Sequence, residues 1–255
     1  MSDVVASLSE DDFLGGKLRL KQPKRGHRAG HDAVLLAAAT PARAGERVVD
    51  LGAGVGAAGL AVASRIRDID LVLVERDEAL VDIARANLAA NNLKGCAVAL
   101  DVTASAAAFA AAGLRPDSVD RVLMNPPFND PSRHQASPEP ARRAAHEDDD
   151  DALATWMRSV RRILKPAGTV SLIWRAEEVG RVLAAFEGGF GALMVLPVYP
   201  RPDAAAIRIL VRATKGSRAA TELLPGIVLN GPAGRVLDDV QEVLNGTDVL
   251  PLARL

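Results

Sequence analysis

Arg47-Val48-Val49-Asp50-Leu51-Gly52-Ala53-Gly54-Val55-Gly56 is the stretch that decides the fold. Its first five residues have the pattern of a short buried strand. The glycines that follow permit a tight turn and close approach of backbone to a ligand. An Ala/Leu-rich helical stretch then runs to Arg65. Strand, glycine turn and helix in this order open a nucleotide-binding βαβ unit. A second apolar run, Leu71 to Val74, ends in Glu75, followed by Arg76. Glu75 lies 25 residues after Asp50 (75 − 50), where a carboxylate for ribose hydroxyls is expected. A third run, Cys96 to Leu100, ends in Asp101 and Val102, and a fourth, Val119 to Met124, ends in Asn125. Ligands of open α/β sheets bind outside the carboxyl ends of the strands. Asp50, Glu75, Asp101 and Asn125 all fall at such ends.

The downstream pattern completes a sheet. Trp156, Met157, Val160, Ile163 and Leu164 recur with helical period, behind the acidic run Asp148–Asp151, which suits a helix start. Lys165-Pro166-Ala167-Gly168 turns into a strand expected over Thr169 to Trp174. A helix is expected over Glu177 to Phe186, and a closing pair of strands over Leu193 to Val198 and Ala206 to Val211. That makes seven strands with helices between them. We expect a basic hairpin and capping helix in residues 1–45, the main α/β domain in 46–215, and an extension in 216–255 packed on the same domain. The extension carries an apolar strand from Gly226 to Leu229 and a helix from Val236 to Leu244. The acidic, polar residues 1–12 are expected to be mobile.

A glycine turn followed by an acid also fits a nicotinamide enzyme. Two details favour S-adenosylmethionine (SAM) instead. Asp50 directly precedes the turn formed by Gly52, Ala53, Gly54 and Gly56, where it can organise the methionine end. Asp101, with Val102 beside it, is placed to meet the adenine amino group. Asn125-Pro126-Pro127-Phe128 supplies the chemistry. An exocyclic amine on an aromatic ring is a poor nucleophile because its lone pair is delocalised. The Asn125 side-chain oxygen and the Pro126 carbonyl can each accept one N–H and draw the nitrogen toward tetrahedral geometry. Pro126 and Pro127 stiffen the turn, and Phe128 offers a face for stacking. Neither a metal nor a proton donor is required, and the four histidines have no metal-ligand spacing.

The glycine loop, Glu75, Asp101 and Asn125-Pro126-Pro127-Phe128 resemble those of the class I SAM-dependent methyltransferases that act on amino groups. The opening segment, Phe13-Leu14-Gly15-Gly16 through Gln22-Pro23 to Arg25-Gly26-His27-Arg28-Ala29-Gly30-His31-Asp32, narrows this, as does Arg142-Arg143-Ala144-Ala145-His146-Glu147. Both resemble the bacterial tRNA1(Val) adenine-N6 methyltransferase family. The resemblance implies a Rossmann-like seven-stranded sheet with helices on both faces, SAM as cofactor, and an adenine of tRNA as substrate. Asp32, Arg142 and His146 then join the expected substrate contacts. Phe128 stands where many members carry tyrosine. Phenylalanine is common in guanine-N2 rRNA enzymes, so that target stays open, as does a glutamine amide of a protein.

Composition limits the alternatives. The chain of 255 residues, 49% apolar, suits one α/β domain with a full core. One cysteine, Cys96, excludes an internal disulfide and a cysteine-rich zinc site; at a strand start it is expected in the core. No apolar run is long enough to span a bilayer, and a cytoplasmic protein is expected. The net charge of −1 does not announce a nucleic-acid binder. Its distribution says more. Lys17, Arg19, Lys21, Lys24, Arg25 and Arg28 occur without an acid among them, and Leu18 and Leu20 alternate with the first three. This period of two, after Gly15-Gly16, predicts a hairpin strand with a cationic face suited to phosphates. Asp32 to Leu36 is expected to be a capped helix leading into the cofactor strand.

Overall fold

The computed structural model describes residues 8–24, 28–127, 153–232 and 234–254. An N-terminal hairpin, β1 (Leu8–Phe13) and β2 (Leu18–Pro23), is antiparallel and forms its own two-stranded sheet. Helix α1 (His31–Ala39) leads into β3 (Arg47–Leu51). The chain continues through α2 (Ala57–Arg65), β4 (Asp70–Glu75), α3 (Glu78–Ala90), β5 (Cys96–Ala99), α4 (Ala106–Ala111) and β6 (Val119–Met124). After helix α5 (153–163) come β7 (Leu164–Arg175), α6 (Val179–Phe186), β8 (Phe190–Tyr199) and β9 (Arg208–Lys215). The short strands β10 (Glu222–Leu223) and β11 (Ile227–Val228) and helix α7 (Asp238–Leu244) follow.

The main sheet runs β5-β4-β3-β6-β7-β9-β8 and is parallel except for β9. These are the seven strands expected from the sequence. Strands β10 and β11 pair side by side in sequence along the outer edge of β8, which brings the sheet to nine. Both faces are covered, and the strand sequences explain why. On β3 and β4, Val48, Leu71 and Leu73 point into the cluster formed with α1, α2 and α3. Val49, Leu51, Val72 and Val74 point into the cluster formed with α4, α5 and α6. A strand apolar on both sides can only be stable between two helical layers.

The topology sets the site. From β3 the chain winds outward through β4 and β5, then returns to place β6 on the other side of β3. This is a topological switch point, where such sheets open a crevice. The register pairs Leu51 with Met124. Gly52 and Asn125, the next residue of each strand, therefore leave the sheet side by side.

Three expectations are corrected. Residues 8–12 are ordered into β1, because β2 offers them a complete antiparallel ladder. Cys96 is exposed, since it opens β5, which among the described strands pairs with β4 alone. Strand β7 starts at Leu164, not Thr169. The register slips between Val119↔Leu164 and Arg121↔Thr169, and Ala167, with φ of 62°, accommodates the bulge.

Candidate active site

The glycine loop is shaped by its own hydrogen bonds. The N–H groups of Gly52 and Ala53 both donate to the Val74 carbonyl at 2.8 Å, which ties the loop to the end of β4. Gly56 caps α2 with φ of 91°, a conformation that favours glycine. A Cβ on Gly52 would stand 2.3 Å from the Trp156 ring of α5. At Gly54 the situation is reversed, and among the described residues nothing lies within 4 Å of where a Cβ would be. The loop therefore packs on the protein at Gly52 and faces open space at Gly54.

Two carboxylates organise this loop from different sides. Glu75 ends β4, accepts the Gly54 N–H at 2.9 Å through Oε2, and accepts the Arg76 and Asp77 N–H groups at 2.8 and 3.0 Å through Oε1. Asp50 is buried beneath the loop, where its Oδ2 accepts the Gly59 N–H from α2 at 2.8 Å. Burial pushes its carboxyl up to about 7; the Gly59 bond works against the shift and the nearby Glu75 charge adds to it. The next strand contributes Asp101. Thr103 donates its backbone N–H and its hydroxyl to Asp101 Oδ1, both at 2.7 Å, and these bonds hold the Asp101 carboxyl below the usual range. Val102 is half-buried, and its carbonyl accepts the Ser159 hydroxyl at 2.7 Å.

Asn125 differs from all of these. Its Oδ1 is buried and has no hydrogen-bond partner among the described residues. Buried polar atoms are nearly always paired, so an orphaned acceptor at a crevice is a place for a donor from a ligand. Pro126 is buried and Pro127 exposed. A cleft of about 270 Å³ joins Asn125 to Arg28, Ala29, Gly30, His31, Asp32 and Ala33, the segment that enters α1. Asp32 is not the cap of this helix. Gly30 holds that position without a side-chain bond, and the Asp32 carboxylate instead accepts from Arg208 Nε of β9 at 3.0 Å.

The structure thus brings together Asp50, Gly52, Ala53, Gly54, Gly56, Glu75, Asp101, Val102 and Asn125 at one edge, with exposed Arg76 at its rim. Arg25, Phe128, Arg142 and His146 lie outside the described residues. The basic hairpin is less one-sided than its sequence. Leu18 and Leu20 are buried while Arg19 points outward, as the alternation predicts. However, β1 sets Glu10 opposite Lys21 and Asp12 opposite Arg19. Arg19 pairs with Glu10 at 3.4 Å, and Lys17 Nζ donates to the Gly246 carbonyl at 2.8 Å. Arg28 pairs with Asp11 at 2.8 Å, and bonds from the Gln22 amide and the Ser9 hydroxyl, with Arg28 beside them, hold the Asp11 carboxyl below the usual range. Lys24 is exposed. Sequence reasoning missed Gly59, Asn87, Trp156 and Arg208. Only the spacing of Asn87 and Asn91, four apart on a helix, was a usable signal.

Residues 29–191 match the methyltransferase small domain family. The chain belongs to that family. Its sheet order and glycine loop are those of a class I methyltransferase, and by family and fold it is a SAM-dependent methyltransferase. A tRNA1(Val) (adenine(37)-N6)-methyltransferase of Bacteroides thetaiotaomicron is 29% identical over 189 residues, 73% of this chain and 76% of that protein. A solved structure from Agrobacterium tumefaciens, named a predicted O-methyltransferase, is 30% identical. It superposes with a TM-score of 0.72 over 86% of this chain and 98% of its own. The Thermus thermophilus 16S rRNA N2 G1207 methyltransferase, solved with SAM and guanosine, shares the fold at 22% identity and a TM-score of 0.53. That match covers 82% of this chain and 50% of the Thermus protein. Among the described residues there is no helix long and apolar enough to cross a membrane and no cluster of metal-binding side chains.

Proposed function

We propose that the protein methylates the exocyclic amine of an adenine in tRNA. One observation carries the reading: the buried Oδ1 of Asn125, which has no partner among the described residues, in a residue that ends β6 and lines the cleft. Leaving a buried acceptor unsatisfied costs about 1–3 kcal/mol, and an amine entering the cleft removes that cost. Bound SAM supplies an electrophilic methyl group on a sulfonium. Glu75 would hold the ribose hydroxyls of the cofactor, and Asp101 would accept from its adenine amino group. Gly54 leaves room for close approach, while Asp50 braces the loop from behind through Gly59. Asn125 Oδ1 and the Pro126 carbonyl each accept one N–H of the target nitrogen, which turns its lone pair toward the methyl group. The nitrogen loses its proton to water after transfer, so these residues act chiefly by positioning. The target base must leave its stack to reach Asn125, and Phe128 is assigned to its ring.

The choice of tRNA is supported by the name of the Bacteroides relative, and with that substrate the protein works in the cytoplasm. Arg28 at the cleft, with Lys17, Arg19, Lys21, Lys24 and Arg25 on the adjoining hairpin, is assigned to phosphates; Arg142 and His146 complete the assigned substrate contacts. The second reading, a guanine N2 of rRNA, is favoured by Phe128 and by the fold of the Thermus enzyme. An oxygen nucleophile has no pair of N–H groups to offer Asn125 and Pro126, which argues against O-methylation. Nucleoside mass spectrometry of purified tRNA species from a strain lacking the gene decides among these. Loss of N6-methyladenosine from one tRNA is expected. Unchanged N6-methyladenosine in every tRNA, with a methylated guanosine missing from rRNA, overturns the first reading in favour of the second.

A further inference from the structure

Strand β2 has β1 along one edge only. Its other edge faces α3, and two asparagines of α3 and its C-terminal cap complete it. Asn91 Oδ1 accepts the Arg19 N–H at 2.9 Å, and its Nδ2 donates to the Arg19 carbonyl at 2.8 Å. Asn87 repeats the pattern on Lys21, with distances of 2.8 and 2.9 Å. The spacing works because four helical residues advance about 6 Å and two strand residues about 6.6 Å. The two amides thus act as a substitute strand.

Asn87 does more than Asn91. It is wholly buried, and its Nδ2 also donates to the Val55 carbonyl at 3.0 Å. Val55 sits inside the glycine loop, between Gly54, whose N–H is held by Glu75, and Gly56, which caps α2. One side chain therefore grips the backbone of the hairpin and the backbone of the loop at once. Asn91 spends its remaining donor on the Asn87 carbonyl of its own helix, at 2.8 Å. An aspartate at 87 would keep the acceptor for Lys21 and lose both donors.

We propose that Asn87 is a positioning residue that couples the N-terminal hairpin to the glycine loop. Filling the loop with cofactor fixes the Val55 peptide, and through Asn87 it steadies β2. By reciprocity, a substrate held on the hairpin tightens the cofactor. The proposal rests on the cofactor reading of the loop but not on the identity of the substrate. Its test is hydrogen exchange at the Arg19 and Lys21 amides with and without S-adenosylhomocysteine, while calorimetry of the same samples reports binding. In the wild type, the ligand should slow exchange at these amides about 5-fold or more. Asn91→Ala, which removes the acceptor of the Arg19 amide without touching the loop, should keep that response at Lys21. Asn87→Asp should bind the ligand and lose the response. Failure of the cofactor reading registers in calorimetry. Wild-type binding with unchanged hairpin exchange overturns the coupling, as does an Asn87→Asp protein that retains the full response. The wild-type arm stands alone if Asn87→Asp does not fold.

Discussion

The two ends of strands β3 and β6 put their polar residues to different uses. At the amino end, Glu46 holds Arg121 through two bonds of 2.9 and 2.6 Å, and Arg121 also donates to the Thr169 hydroxyl at 3.0 Å. Asp120 accepts the Arg47 N–H at 2.8 Å and the Lys165 ammonium at 2.7 Å. These charges are matched within the protein. At the carboxyl end the Asn125 oxygen is buried without a partner among the described residues, burial holds the Asp50 carboxyl up to about 7, and no described atom crowds Gly54. Strands β3 and β6 thus start in a network of matched charges and end at a crevice that holds an unfilled acceptor. A buried carbonyl oxygen left open beside a cleft is a place where a ligand donor can bind.

The comparison can be broken by substitutions at either end. Asn125→Ala should lower turnover by about 10²–10³-fold, the usual loss when one preorganised hydrogen-bond group is removed from a reaction site. SAM affinity by calorimetry should stay within a few fold, and thermal stability should not fall, since the Asn125 oxygen bonds to none of the described residues. Arg121→Met should do the opposite. Removing one partner of a largely buried ion pair costs about 3 kcal/mol, so denaturant melts should show a clear loss. Turnover, measured where the variant is folded, should stay at the wild-type level.

Glu75→Ala should weaken SAM and S-adenosylhomocysteine by about 1.5–3 kcal/mol, the worth of hydrogen bonds to a charged group. Tight binding of a nicotinamide cofactor in place of SAM would refute the cofactor assignment. Asp50 gives a pH signature. Its folded pKa, about 7, lies above the unfolded value near 3.8. The folded state therefore retains a proton that the unfolded state releases, and this support is complete below about pH 4 and lost as pH rises through about 7. Asp50→Asn, neutral throughout, should gain on the wild type in melting temperature between about pH 5 and about pH 8; a difference flat across that window would show that Asp50 stays charged. The smallest effect is expected from changing Lys17, Arg19 and Lys21 to Ser. Glu10 and Asp12 on the paired strand already offset part of that charge. The apparent Michaelis constant for RNA should rise by a few fold and depend less on salt; no change at two ionic strengths would remove this face from the substrate site.

The sequence made the strand ends legible because each is a local pattern: an apolar run, then a polar residue or glycine. Asp50, Gly54, Glu75, Asp101 and Asn125 were found that way, and the sheet brings them to one edge. Tertiary partners left no such mark. Strand β1 is polar and reads as a tail until β2 is beside it. Cys96 looks like core until β5 proves to be the sheet edge. Asn87 is an ordinary helical asparagine until β2 and Val55 arrive on its two sides. The acid that offsets the basic hairpin belongs to the complementary strand, so counting charge along one segment overstated its field.

The most direct test of the central claim, that the carboxyl end is a site for methylating a planar amine, uses methyl-labelled SAM, total bacterial RNA and the purified protein, followed by digestion and nucleoside analysis. The account predicts label on the exocyclic nitrogen of a base, N6-methyladenosine first, and loss of that label with Asn125→Ala. Label on a ribose oxygen, or transfer to nitrogen undiminished in Asn125→Ala, would contradict it.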